Sequence, residues 1–192
     1  MVNIKSWLSD DYRRKETLAA AASVYLSNKP QSIQLRNIFN DQRYTTFIGE
    51  LSRIQWKQKY DALTLRCSTS LLPLELSQFL HSEDFKLLVS IVTGKIIHQT
   101  TADLCCFGHK DYTLMNDGPL PNGIFFQLDF TPIWNDGWGG YTSFVSDGEQ
   151  LRISPTANTL TLVDTSKLNR FTKYINHRAS KSKRILVEGI FK

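Results

Sequence analysis

Residues 125–192 constrain this chain more than any other stretch, because they consist of short β-type runs that turns keep interrupting. The runs at 124–130, 141–145, 150–153, 159–163, 171–176 and 184–190 carry the β-branched and aromatic residues typical of strands. Between them lie Asn135-Asp136-Gly137, Ser146-Asp147-Gly148, Pro155 and the polar stretch 180–183, each a turn signal. Many short antiparallel strands at this spacing predict a sandwich or jelly roll.

The first half reads differently. Ser9 or Asp10 can cap a helix that runs through TLAAAASVYL, and Asn28-Lys29-Pro30 ends it. SIQLRNIF, at 32–39, alternates apolar with polar residues and predicts a strand. Residues 41–54 read as a helix with Phe47, Ile48 and Leu51 on one side. After Pro73 two more helices are predicted, at 74–81 and 82–93, with Ser82-Glu83-Asp84 as a cap and Gly94 as a stop. Residues 95–107 then shift toward β character. Helices followed by strands predict an α+β fold. A helical layer over about 1–94 supports a jelly-roll core over about 95–192, and 192 residues suit one domain.

Composition narrows the setting. The chain is 41% hydrophobic and 21% charged, ordinary for a water-soluble globule. No apolar run reaches the roughly 18–20 residues of a membrane span, and 85–97 is interrupted by Lys86, Thr93, Gly94 and Lys95. The first residues lack the apolar segment of a secretory signal, so a cytoplasmic location without membrane contact is expected. Cys67, Cys105 and Cys106 are odd in number, and two are adjacent, a poor disulfide framework without zinc-type spacing. Buried thiols are expected. The net charge is +5, densest at Arg178, Lys181, Lys183 and Arg184. Such a cluster leaves nucleic acid open as a partner, although no aromatic stacking motif accompanies it.

Several local motifs occur in a fixed order. Leu104-Cys105-Cys106-Phe107 leads into Lys110-Asp111-Tyr112-Thr113-Leu114 and then Met115-Asn116-Asp117-Gly118. The run 124–132 follows, then Trp138-Gly139-Gly140, then Ser154-Pro155-Thr156-Ala157-Asn158-Thr159-Leu160, and finally Arg184 in RILVEGIF. In this order the chain resembles the 2-oxoglutarate/Fe(II) dioxygenases of the prolyl-hydroxylase type, particularly those acting on a ribosomal protein. The resemblance covers roughly 95–192, more weakly the N-terminal helices. It implies a double-stranded β-helix.

The resemblance also implies chemistry. Such enzymes hold Fe(II) through a His, a carboxylate two residues later and a distal His, leaving sites open for 2-oxoglutarate and O₂. Carried onto this chain, the first two positions fall on Asn116 and Gly118. The distal position falls on Lys173, because Phe171-Thr172-Lys173-Tyr174-Ile175 resembles F-x-H-x-V. Asn is a poor iron ligand, Gly has no side chain and an ammonium repels the metal. On this register no metal residues remain, and neither iron nor 2-oxoglutarate is expected as a cofactor. Arg184 keeps the position that pairs with the cosubstrate's far carboxylate. Asp117 and Trp138 are the neighbouring pocket candidates. The implied function is a non-catalytic binding or assembly module with a protein or peptide partner.

Two other readings stay open. His109-Lys110-Asp111 is a literal His-x-Asp, and His177 can stand as the distal His. That register implies an active Fe(II)/2-oxoglutarate-dependent hydroxylase of protein or peptide side chains. Alternatively, Lys173 and Arg184 form a metal-free pocket for a small carboxylate. His81 and His98 have no spaced partner and read as structural. Trp134 and Trp138 flank the turn at the presumed barrel mouth, where packing is the simplest role.

Overall fold

The computed structural model describes residues 6–61, 65–115, 121–146, 149–166 and 168–192. Its elements run α1 (Lys15–Ser27), β1 (Ser32–Arg36), α2 (Asp41–Leu51), β2 (Lys57–Asp61), β3 (Leu65–Ser70), α3 (Leu74–His81), α4 (Glu83–Thr93) and β4 (Thr100–Phe107). They continue with β5 (Tyr112–Thr113), β6 (Ile124–Asp129), β7 (Thr142–Ser146), β8 (Glu149–Ile153), β9 (Thr159–Asp164), β10 (Asn169–Thr172) and β11 (Arg184–Phe191).

The strands form two antiparallel sheets. The larger has the order β2-β3-β4-β11-β6-β9-β1 and the smaller β5-β10-β7-β8. Strand β3 belongs to both, since Ser68–Ser70 pair with β4 whereas Leu65 and Arg66 pair with β5. This is the expected α+β double-stranded β-helix.

Side-chain alternation sorts the core. Along β6 every residue is buried, but Ile124, Phe126 and Leu128 pack toward the helices. Phe125, Gln127 and Asp129 alternate with them and face into the roll. On the helical side Trp7, Phe39, Phe47, Phe79 and Phe130 form one aromatic cluster. The Phe39 and Phe79 centroids lie 5.0 Å apart, and Trp7 stacks on Phe79 at 5.8 Å. Helix α1 contributes Leu18, Ala21 and Tyr25, at helical spacing on one face.

Local signals explain most boundaries. The Ser82 hydroxyl accepts from Phe85 N at 3.2 Å to start α4, and Gly94 ends it in the left-handed region (φ 71°). Asn40 caps α2 by accepting from Arg43 N at 2.8 Å. The first helix departs from expectation. Residues Asp10–Arg13 form a 3₁₀ turn, Arg14 is extended, and Ser9 makes no side-chain cap. Helix α2 stops at Leu51, three residues short of the expected end.

Three corrections concern strands. The β2–β3 hairpin lies within the stretch expected to be a helical layer. KQKYD shows no apolar alternation because β2 is an edge strand, where lysines discourage further pairing. Residues 95–99 are not a strand; His98 N and Gln99 N both donate to Lys192 O. Strand β10 ends at Thr172 rather than at 176. Beyond it Lys173 N donates to Tyr141 O and Ile175 N to Asp111 O, so the extended backbone bonds to separate loops instead of a ladder.

The motif residues find structural roles. Asn158 (φ 52°) accepts from Phe39 N at 3.0 Å and donates to Phe39 O at 2.9 Å, pinning the turn before β9 to the segment that follows β1. In the Trp-Gly-Gly step, Gly139 (φ 80°) has no room for a side chain. A Cβ there would lie 2.1 Å from Tyr174 O. Among the described residues no helix is long and apolar enough to cross a membrane.

Candidate functional site

The interior of the roll is where strand alternation delivers polar residues with no water to solvate them. On β11, Arg184, Leu186, Glu188 and Ile190 alternate toward the inside. Arg184 is fully buried. Its Nε and Nη2 donate to Asp129 Oδ2 at 3.3 and 3.4 Å, and Nη1 donates to Gly140 O at 2.6 Å and Thr142 Oγ1 at 3.0 Å. Thr142 in turn donates to Gln127 Oε1 at 2.8 Å. Asp129 also accepts from Thr131 N at 2.9 Å.

This network closes on itself. A guanidinium carries five donors, and four of them are engaged by the chain's own groups. Burial pushes the Asp129 carboxyl up from its ordinary value, against the opposing pull of Arg184. Burial likewise draws the Arg184 guanidinium down, and Asp129 offsets it. The two charges therefore depend on each other. An external carboxylate reaching Arg184 has to displace Asp129.

A second, partly buried ion pair lies beside the first. Arg170 on β10 grips Glu188 bidentately, with Nη1–Oε2 at 2.5 Å and Nη2–Oε1 at 3.0 Å. Burial opposes the Arg170 charge, but Glu188 outweighs it and raises the guanidinium's pKa above its ordinary value. The guanidinium also sits 4.9 Å from the Phe125 ring centroid. This pair lines a cavity of about 650 Å³ at the mouth of the roll, walled by the β2–β3 hairpin, β4, β5, β10 and β11. Lys57, Lys59, Cys67, Asp103 and Cys105 share its lining.

The sequence-predicted residues separate in space. Arg184 lies inside the roll, and so leaves the surface cluster formed by the exposed Arg178, Lys181 and Lys183. Lys173 is exposed and lines a different, shallower hollow with Tyr112, Leu114, Met115, Phe171 and Tyr174. Of the two cations in the carboxylate-pocket reading, Arg184 is thus enclosed in the roll and Lys173 is exposed. Asn116, Asp117 and Gly118 lie outside the described residues. His109 and His177 are exposed. Asp111 is buried, and its Oδ2 accepts from Gly108 N at 2.8 Å, closing a turn. Segments 109–111 and 175–177 do run side by side, because Lys110 N donates to Ile175 O and Ile175 N to Asp111 O. Trp138 packs edge-on against Trp134 at 5.4 Å over Ile175 and Ala179, a rim contact.

Fe(II) in an oxygenase of this type imposes a definite ligand requirement. Iron in this coordination needs imidazole and carboxylate groups converging on one point. Among the described residues no three His, Cys, Asp or Glu side chains are grouped to hold a metal ion.

Sequence reasoning missed Asp129, Gln127, Arg170, Glu188 and the β2–β3 hairpin. A signal existed for the first two. In IFFQLDF, polar residues two apart within an apolar strand mark a polar interior face. For Arg170 and Glu188 nothing in the sequence tied two strands 18 residues apart.

Comparison with known proteins follows the same lines. The family model described as oxoglutarate and iron-dependent oxygenase degradation C-term matches residues 3–192. A prolyl-4-hydroxylase from Pseudomonas putida superposes with a TM-score of 0.70 at 13% identity, covering 91% of this chain and 98% of that one. A prolyl hydroxylase in complex with a hypoxia inducible factor oxygen degradation domain peptide fragment, from Trichoplax adhaerens, gives 0.69 at 13% identity over 95% of each chain. An oxidoreductase of the 2OG-Fe(II) oxygenase family from Burkholderia pseudomallei gives 0.68 at 10% identity, covering 91% of this chain and 90% of that one. No curated protein matches the sequence. At such identities the structural likeness establishes the fold.

Proposed function

The chain belongs to the oxoglutarate and iron-dependent oxygenase degradation C-terminal family, and from that premise we propose that it is a non-catalytic binding module on the oxygenase scaffold. The observation that carries this reading is the internal pairing of Arg184. The side chain that the resemblance assigns to 2-oxoglutarate is buried, charge-compensated by Asp129 and hydrogen-bonded to Gly140 O and Thr142. Lys173, at the expected distal His position, adds an ammonium where a metal requires a neutral donor. The partner is a protein or peptide segment. One structural relative carries a peptide fragment, and the cavity at the mouth of this roll has walls of both charge signs and room for side chains.

Anaerobic titration calorimetry tests the reading, with Fe(II) or Mn(II) added first and 2-oxoglutarate second. The expected result is no metal-dependent heat of 2-oxoglutarate binding. A saturable, stoichiometric, metal-dependent heat would overturn it.

The adjacency of segments 109–111 and 175–177 favours one second reading. An active hydroxylase would draw on His109, Asp111 and His177. It requires that 2-oxoglutarate be consumed only with Fe(II), and that His109→Ala abolish the consumption.

A further inference from the structure

We propose that the hollow beside β5 and β10 docks an acidic peptide segment of another protein, which inserts one apolar side chain while the surrounding cations hold its carboxylates. The inference rests on the binding reading only in taking the partner to be a peptide. Metal or 2-oxoglutarate binding elsewhere in the chain does not decide it.

The hollow opens where β5 and β10 part. Thr113 pairs with Thr172, and beyond that rung Lys173 N donates to Tyr141 O at 2.9 Å, so the two segments diverge. The gap, of about 460 Å³, is lined by Tyr112, Leu114, Met115, Phe171, Lys173 and Tyr174. The Tyr112 and Tyr174 rings stand 6.3 Å apart at an angle of 38° and give it an aromatic side. Leu114, Met115 and Tyr174 are 45%, 49% and 44% exposed. Apolar side chains gathered in an open concavity mark an interaction surface, and Met and aromatic residues are those enriched at such surfaces. Leu114 also lines the 650 Å³ cavity, so the hollow adjoins it.

The surroundings are cationic. Lys173 lies in the wall of the hollow itself. Lys110 N donates to Ile175 O at 2.9 Å, which brings Lys110 to the segment that carries Tyr174. Arg178 follows in the 3₁₀ turn His177–Ala179, and the Phe107–Arg184 rung leaves Gly108 and Lys183 as the next residues on either side. Lys110, Lys173, Arg178, Lys181 and Lys183 are all exposed, and among the described residues none of them is in an ion pair. Asp111 is the single carboxylate that segments 107–115 and 171–184 carry, and it is buried. Asp136, on the neighbouring turn, faces Arg152 at 3.7 Å.

The complementary ligand has the converse pattern, an apolar side chain flanked by carboxylates. A nucleic acid would also use the cations, but it binds by stacking bases on rings. Leu114 and Met115 give the hollow an aliphatic side with no such platform. A leucine or phenylalanine side chain packs against both sides.

The test is fluorescence anisotropy of the full chain with a short labelled peptide, mostly Asp and Glu, with one Leu-Phe step at its centre. Saturable binding is expected at low ionic strength, weakening as salt screens the exposed cations. A copy with Ser-Ser at the centre should bind at least about tenfold more weakly, because a central anchor carries much of the energy. Leu114→Ser, Tyr174→Ala and Lys173→Glu should each weaken binding of the first peptide by about tenfold. Lys29→Glu, in the turn after α1, should leave it unchanged. Thermal unfolding checks that each variant is folded, and Lys173→Glu alters an exposed side chain, so the test stands even if Leu114→Ser unfolds. No saturable binding, equal affinity for the Ser-Ser copy or unaltered affinity in Lys173→Glu would overturn the proposal. So would tighter binding of a single-stranded oligonucleotide of equal length.

Discussion

Replacing Asp129 by Asn removes one charge from the interior of the roll and almost no volume. The asparagine oxygen can still accept from Thr131 N, so the change isolates the ionic contribution. At 3.3 Å, in an effective dielectric of about 20, the Arg184–Asp129 attraction is about 5 kcal/mol. Desolvation of both groups offsets much of that in the intact pair. It does not offset the loss when only one partner goes, because Arg184 stays protonated and fully buried. Breaking a buried pair from one side costs about 3–5 kcal/mol. For a domain of this size that is about 6–20 °C in melting temperature. Urea unfolding at pH 7 of the parent, Asp129→Asn, Arg184→Met and the double variant gives the coupling directly. Both single variants should lose several kcal/mol, and the double variant should lose much less than their sum. The pH dependence has a definite sign. In Arg184→Met the folded-state Asp129 pKa lies above its unfolded value of 3.8, so the folded state takes up the proton first. The deficit is therefore largest at neutral pH and shrinks as the pH falls through the raised pKa. The reasoning fails if Asp129→Asn stays within about 1 kcal/mol of the parent, or if the two losses simply add.

Four further outcomes follow from packing, backbone geometry and charge. Gly189→Ala places a Cβ 1.8 Å from Thr101 O and 2.8 Å from the Phe126 ring, and should cost at least about 1–3 kcal/mol by chemical denaturation. Gly49→Ala, inside α2 with nothing within 4 Å, should instead stabilise by about 0.5–1 kcal/mol. Asn158→Gly keeps the left-handed backbone and loses only the two bonds to Phe39, so it should cost about 1–3 kcal/mol, and Asn158→Ala more. Burial raises the Asp164 carboxyl, but bonds from Lys95 and Ser166 outweigh it and hold the pKa below 3.8. That stabilisation is present above pH 3.8 and lost as the pH falls through the lowered value. Asp164→Asn should thus cost less than about 1 kcal/mol at pH 7, and the difference should vanish in stronger acid.

The ends of α2 and α4 were legible because their signals are local: a side-chain cap within three residues, a glycine in the left-handed region. The central strands were legible because burial on both faces forces apolar, β-branched and aromatic sequence, as in IFFQLDF. The β2–β3 hairpin was not, because an edge strand is selected for polarity and solvation and carries no apolar period. The overlong β10 has the same kind of cause. Residues 173–176 are extended, but their backbone partners lie in loops at 111 and 141, which no local pattern encodes.

Sequence by itself determined that a helical layer would cover a double-stranded β-helix, and that Arg184 would stand on its last strand. It also fixed Lys173 in the FTKYI segment that resembles the distal-ligand motif. Only the tertiary structure decided what Arg184 faces. Its partner, Asp129, lies 55 residues earlier on the neighbouring strand, and the two meet because antiparallel pairing of β6 with β11 turns both toward an interior without solvent. An unpaired guanidinium cannot be buried there, so the fold supplies the carboxylate from within the chain.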